Sequence, residues 1–144
     1  MDLIIYTCSY EEVKRNTVTC LNKLYQERLS GKFKIDFDWS TTGSDALIGR
    51  GRSIACTDFL ENKSAPYMLF LDSDIVFTAL DVQKIYDALE EGYNVVGGLY
   101  PVIDSQFLAS HAGEHETLEI DGQVHELKHL ATGFMGISRK ILQE

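Results

Sequence analysis

The chain has 144 residues, of which 44% are hydrophobic and 24% charged, with a formal net charge of −9. That is the length of one domain able to bury roughly two thirds of its unfolded surface, with a composition that excludes wholesale disorder. The acidic balance excludes a nucleic-acid phosphate binder, and no apolar run approaches the roughly 20 residues of a membrane span. An anionic ligand would need a cationic bridge. No basic region precedes Leu3 and no small-residue cleavage site follows, so no secretory signal is read and a cytoplasmic location is expected. Cys8, Cys20 and Cys56 are odd in number and widely spaced, which suits small reduced thiols rather than a disulfide or a zinc site.

Strands and helices alternate. Asp2 to Cys8, with Leu3-Ile4-Ile5-Tyr6, reads as a short buried strand. Tyr10 to Ser30 reads as a helix, because Val13, Thr17, Cys20, Leu21, Leu24 and Arg28 recur at steps of three and four and Gly31 is a natural stop. Lys32 to Trp39 alternates, with Phe33, Ile35, Phe37 and Trp39 on one face, as in a strand near a sheet edge. Ser40 to Asp45 reads as a turn, with Ser44 or Asp45 available to cap the next helix. That helix is expected over Leu47 to Lys63, facing inward through Leu47, Gly51, Ile54, Ala55, Phe59 and Leu60. The continuous apolar run Tyr67 to Leu71 predicts the central strand. A helix over Asp81 to Glu91, closed by Gly92, and a strand over Asn94 to Gly98 follow.

This order predicts an α/β fold: a mainly parallel twisted sheet with helices on both faces. Beyond Gly98 the character changes. Tyr100 to Ser110 looks extended and is broken by Pro101. Thr117 to Ile120 and Gln123 to Leu127 flank Asp121-Gly122, which predicts a C-terminal β-hairpin. Leu130 to Ser138 is rich in glycine and apolar residues, and Arg139 to Glu144 begins a helix. The whole is read as one domain over 1–144, its βα part over 1–98 and its hairpin part over 99–144.

The strongest chemical feature is Asp72-Ser73-Asp74, just past the carboxyl end of the central strand, where open α/β sheets bind ligands. Continued strand alternation would aim both carboxylates the same way, about 6–7 Å apart. Two carboxylates suit a hard divalent cation, Mn2+ or Mg2+, bound together with substrate phosphates. The plainer reading is a solvated turn ending the strand. Gly49-Arg50-Gly51-Arg52 lacks the third glycine of a dinucleotide loop and follows no strand, so that reading is rejected. Arg52 has a guanidinium suited to phosphate, or else it pairs with Asp45 or Asp58. His111, His115, His125 and His129 read as solvated polar residues, with one of them available to complete an ion shell.

Five stretches in this order resemble the nucleotide-sugar-dependent glycosyltransferases of the GT-A fold, of a family-2-like bacterial, phage or large-virus branch. They are Tyr6 to Tyr10; Arg50 to Ala55, similar to an "Ala-Arg-Asn" helix start with Ser53 for asparagine; Met68 to Phe77, similar to the Asp-x-Asp strand; Val95 to Pro101, similar to a Gly-Gly-x-Tyr-Pro segment; and Ala131 to Arg139, similar to the Thr-Gly-Phe-Met strand. The resemblance implies a metal-dependent glycosyltransferase of Rossmann-like GT-A fold, with a UDP- or GDP-linked sugar as donor and a glycan or other hydroxyl acceptor. It implies that Thr7, Cys8 and Ser9 line the base and ribose and that Arg52 touches the diphosphate or donor sugar. Asp72 would reach ribose or ion, with Ser73 beside it, and Asp74 would bind the ion. Gly97, Gly98 and Tyr100 would border the donor sugar, with Gly133, Phe134 and Met135 toward the acceptor.

Members of that branch continue past the Thr-Gly-Phe-Met strand to an acidic general base, often in a Glu-Asp pair, and a metal-ligating histidine. The sequence stops at Glu144, so both are expected to be lacking. No motif assigns Glu114, Glu116 or Glu119 as base, or His111 or His129 as ligand, and the catalytic residue stays unassigned. Two rival readings are a non-catalytic nucleotide-sugar-binding module and a haloacid-dehalogenase-type phosphotransferase with Asp72 as nucleophile.

Overall fold

The computed structural model describes residues 1–9, 12–43, 47–101, 108–110 and 118–144. Its elements are β1 (Leu3–Ser9), α1 (Arg15–Leu29), β2 (Phe37–Gly43), α2 (Ile48–Asn62), β3 (Tyr67–Leu71), α3 (Ala79–Glu90), β4 (Val95–Gly97), β5 (Phe134–Ser138) and α4 (Arg139–Leu142). One five-stranded sheet carries them, in the order β2-β1-β3-β5-β4. β1 pairs parallel with β2 and with β3, whereas β5 runs antiparallel to both β3 and β4. Four strands therefore share one direction, and the predicted mainly parallel α/β sheet is present with β3 at its centre.

Alternation along the strands divides the core. Leu3 and Ile5 of β1 and Leu69 and Leu71 of β3 face Leu21 and Leu24 of α1 and Val82, Ile85 and Leu89 of α3. Ile4, Tyr6, Met68 and Phe70 face Ala55 and Phe59 of α2, with Leu142 of α4 packed alongside. A period of two along a strand buried on both faces needs apolar residues at every position, which is how Leu-Ile-Ile-Tyr and Tyr-Met-Leu-Phe-Leu read. Helices thus cover both faces. No helix among the described residues is long and apolar enough to cross a membrane.

Several boundaries differ from the sequence reading, each for a physical reason. α1 starts at Arg15 rather than Tyr10: Lys14 is extended, and its N–H donates to Ser73 O at 2.8 Å instead of entering a helix. The alternation over Lys32 to Trp39 puts Phe33, Ile35 and Phe37 inside as expected. However, the ladder runs from Leu3↔Phe37 to Ser9↔Gly43, so pairing begins only at Phe37 and continues through the stretch read as a turn. β2 is an edge strand, as its one-sided alternation predicted. Ser44 and Asp45 lie outside the described residues; the cap position of α2 is Leu47, which makes no side-chain cap bond. Of the face expected on α2, Gly51, Ala55 and Phe59 are buried at a spacing of four, while Leu47 and Ile54 are exposed. α3 begins two residues early because Thr78 and Asp81 form a capping box, Asp81 Oδ2 accepting from Thr78 N at 2.8 Å.

The expected C-terminal hairpin is a correction. Residues 121–123 form a bend and neither 118–120 nor 124–127 is strand, and Thr117 lies outside the described residues. Asp121 spends its carboxylate on Gln123 N and His125 Nε2, which holds a local loop instead of a ladder. Of the extended stretch expected over Tyr100 to Ser110, residues 102–107 lie outside the described residues; Pro101 and Leu108 form an antiparallel bridge. The glycine-rich tail supplies β5, which inserts between β3 and β4. Its Gly136 makes that possible: a Cβ there would stand 2.5 Å from Ile85 Cγ2 and 2.9 Å from Leu89 Cδ1 of α3.

Candidate functional site

β3 ends at Leu71, and the chain turns at once. Asp72 N–H donates to Gly133 O at 2.8 Å, and Ile75 N–H closes the turn onto Asp72 O at 3.3 Å. Asp72, Ser73 and Asp74 therefore occupy a turn, and strand alternation does not set the distance between the two carboxylates. Asp72 still follows the phase of Met68 and Phe70, on the α2 side. There Arg52 meets it, Nη2 to Asp72 Oδ1 at 2.8 Å. The guanidinium also lies over the Phe70 ring, 5.8 Å from its centroid, and its buried Nε has no hydrogen-bond partner among the described residues. Arg52 is 22% and Asp72 36% exposed along the side chain, so the pair is partly desolvated.

The other side of Asp72 is built by β5 and the segment after β4. Gly133 N–H donates to Tyr100 Oη at 2.9 Å. A Cβ on Gly133 would stand 2.5 Å from that oxygen and 2.9 Å from Asp72 Oδ2, so glycine alone lets phenol and carboxylate converge. Burial pushes the Tyr100 phenol above its ordinary range; the Gly133 N–H opposes this, and the Asp72 and Asp74 carboxylates add to it. Asp74, two residues on in the same turn, is exposed. The turn is held from beneath by α1: Ser73 O accepts from Lys14 N–H and, at 3.1 Å, from Thr17 Oγ1.

Not every expected residue joins this cluster. Thr7 is fully buried on the opposite face, and its hydroxyl accepts from Trp39 Nε1 at 3.0 Å; it ties β2 to β1. Cys8 is half-exposed beside Gly51, and Ser9 ends β1 opposite Gly43. Gly97 and Gly98 pack on Leu130 and Phe134, with hypothetical Cβ contacts of 3.1 and 2.5 Å, so their role here is close approach of β4 to β5. Phe134 is buried against Phe77 and Met135 half-buried on the α2 side. His125 pairs with Asp121, while His111 and His115 lie outside the described residues. Among the described residues no three His, Cys, Asp or Glu converge as a metal cage. The three cysteines are free thiols. Of the two partners expected for Arg52, Asp45 lies outside the described residues, and Asp58 instead accepts the Tyr6 phenol at 2.5 Å while Arg52 pairs with Asp72. Sequence reasoning missed Thr17 as an anchor, although a hydroxyl within an inward-facing apolar stripe was a visible signal. It also missed the Gly133–Tyr100 bond.

Residues 48–144 match the family Glycosyl transferase family 2. The chain belongs to that family. The crystal structure of A197 from STIV shares its fold, with a TM-score of 0.71 and 22% identity over 100% of this chain and 68% of that one. No curated protein matches. The matched span holds Arg52, Asp72, Asp74, Tyr100 and Gly133, and the sheet with its inserted antiparallel strand is consistent with a Rossmann-like GT-A fold.

Proposed function

We propose that this chain moves a sugar from a UDP- or GDP-linked donor to a hydroxyl acceptor, using a divalent ion at Asp72 and Asp74. The observation that carries the reading is the Asp72 turn at the carboxyl end of the central strand, with Arg52 on one side and Tyr100 and Gly133 on the other. Two carboxylates are hard oxygen donors. They fit Mn2+ or Mg2+, whose remaining positions substrate phosphates and water fill. Asp74, exposed at the turn, would hold the ion directly, and the Asp72 carboxylate would reach ion or ribose. What a bound ion supplies there is neutralisation of charge gathering on the departing diphosphate. Arg52 adds a second cation to the same edge, so an acidic chain can take an anionic donor. Cys8 and Ser9 border the base and ribose side, and Tyr100 with the Gly97-Gly98 backbone the sugar side.

The test is a thermal-shift panel of UDP- and GDP-sugars with and without Mn2+. Ligand at about 100 times its Kd adds about 2.7 kcal/mol of stability, which in a domain of this size raises Tm by roughly 6–10 °C. Asp74→Ala should abolish the Mn2+-dependent rise and leave the ligand-free Tm within about 1–2 °C, because surface changes shift stability by about 0.5 kcal/mol. If no nucleotide sugar binds under either condition, the proposal is wrong at its centre. Full Mn2+-dependent binding with neither transfer nor donor hydrolysis would instead make the chain a binding module.

A further inference from the structure

Threonine and serine hydroxyls inside helices ordinarily return to a carbonyl of their own helix. Thr19 does so to Arg15 O, Ser53 to Gly49 O and Thr57 to Ser53 O. Thr17 does not. It is fully buried on the inward stripe of α1 with Leu21 and Leu24, and its hydroxyl leaves the helix to reach Ser73 O, 56 residues away in sequence. A buried hydroxyl costs free energy unless bonded, and an aliphatic residue would pack in that stripe at no such cost. The carbonyl it serves lies between the two aspartates. That carbonyl also takes the Lys14 N–H, so the start of α1 and the acidic turn are locked by two bonds to one oxygen.

We infer that Thr17 is a positioning residue for the Asp72–Asp74 turn, fixing where the Asp74 carboxylate stands although it touches no ligand itself. This rests on the proposed metal-dependent nucleotide-sugar site, and the experiment separates the two ideas. Thr17→Val keeps the shape and removes the hydroxyl; Thr17→Ser keeps the hydroxyl. Amide hydrogen exchange and Mn2+-dependent binding of UDP and GDP by calorimetry are measured on wild type and both variants.

Thr17→Val should speed exchange at Ile75, whose N–H closes the turn, roughly fivefold beyond any change shared with the Leu21 and Leu24 amides, as expected for one lost hydrogen bond. It should weaken Mn2+-dependent nucleotide affinity by a similar factor, while Thr17→Ser restores both. The inference is overturned if Thr17→Val leaves Ile75 exchange at the level of the helix amides. It is equally overturned if Thr17→Ser behaves like Thr17→Val, or if exchange rises with affinity unchanged. Should wild type bind no nucleotide with Mn2+, the functional reading falls, and the exchange result alone still decides whether Thr17 holds the turn.

Discussion

Gly133→Ala tests the geometry around Asp72 without assuming any ligand. The added methyl would meet Tyr100 Oη at 2.5 Å, with Tyr100 Cζ and Asp72 Oδ2 both at 2.9 Å. Gly133 has no positive φ to surrender, so the cost is steric alone. Overpacking of this kind costs about 1–3 kcal/mol. Tyr100→Phe removes the closest of the three atoms but leaves the Gly133 N–H without its acceptor, at about 1–2 kcal/mol. In the double variant the worst overlap is gone, and the two 2.9 Å contacts need only small shifts. The summed cost should then fall short of the two single costs by about 1 kcal/mol, well beyond the roughly 0.3–0.5 kcal/mol scatter of independent sites. Urea denaturation of the four proteins measures the cycle. Strict additivity would refute the claim that Gly133 is glycine in order to seat Tyr100 against Asp72.

Arg139 offers a second test. Its guanidinium donates to Ala65 O, Leu60 O, Phe59 O and Lys63 O, and lies 4.2 Å over the Phe59 ring. It thus satisfies the terminal carbonyls of α2 from the far end of the chain. Arg139→Ala should cost about 3 kcal/mol by urea denaturation, and Arg139→Lys about 2, since an ammonium cannot span the fork. A loss below about 1 kcal/mol would mean that water replaces the guanidinium. Alkaline pH supplies the remaining prediction. Burial holds Tyr6, Tyr25, Tyr86 and Tyr100 above the ordinary phenol value and pushes Tyr67 up to about 12. Groups raised in the folded state give stability that is complete below the unfolded value, about 10, and is lost as pH rises through the folded values. The urea midpoint should therefore hold to about pH 10 and fall steeply above it. Tyr6→Phe should lessen that slope. It should also weaken the acid-side loss at Asp58, whose carboxyl the Tyr6 hydrogen bond holds below its ordinary value, so that its stabilisation disappears as pH drops under about 4.

What could be read from the sequence was the part governed by local rules. Tyr67 to Leu71 announced a strand buried on both faces and is the centre of the sheet. Gly31 ended a helix, with φ of 74°, and Asp72 follows directly on the end of the central strand. What could not be read depended on partners distant in the chain. The alternation at Lys32 to Trp39 reported burial correctly, but a ladder starts where its neighbour starts, and β1 begins at Leu3. Asp121-Gly122 carries hairpin chemistry, yet the carboxylate prefers local donors, and no sheet edge receives the flanks among the described residues.

The insertion of β5 is the step that turns scattered motifs into one site. Had Val95–Gly97 paired directly with β3, Tyr100 would follow a strand beside Asp72, and Gly133 would have no required place. With Phe134–Ser138 between them, the residue just before β5 lands at the end of β3, where antiparallel pairing matches Leu71 with Phe134. Gly133 then offers Asp72 its carbonyl and Tyr100 its N–H through a single peptide-flanked residue. The convergence of Tyr100 and Gly133 on Asp72 follows from that one antiparallel register, while α2 brings Arg52 to the same carboxylate from the other side. A one-residue slip of β5 would move its carbonyl off Asp72 N and reverse the faces of Phe134 and Ile137 together, so the same apolar packing that holds the core holds the site in place.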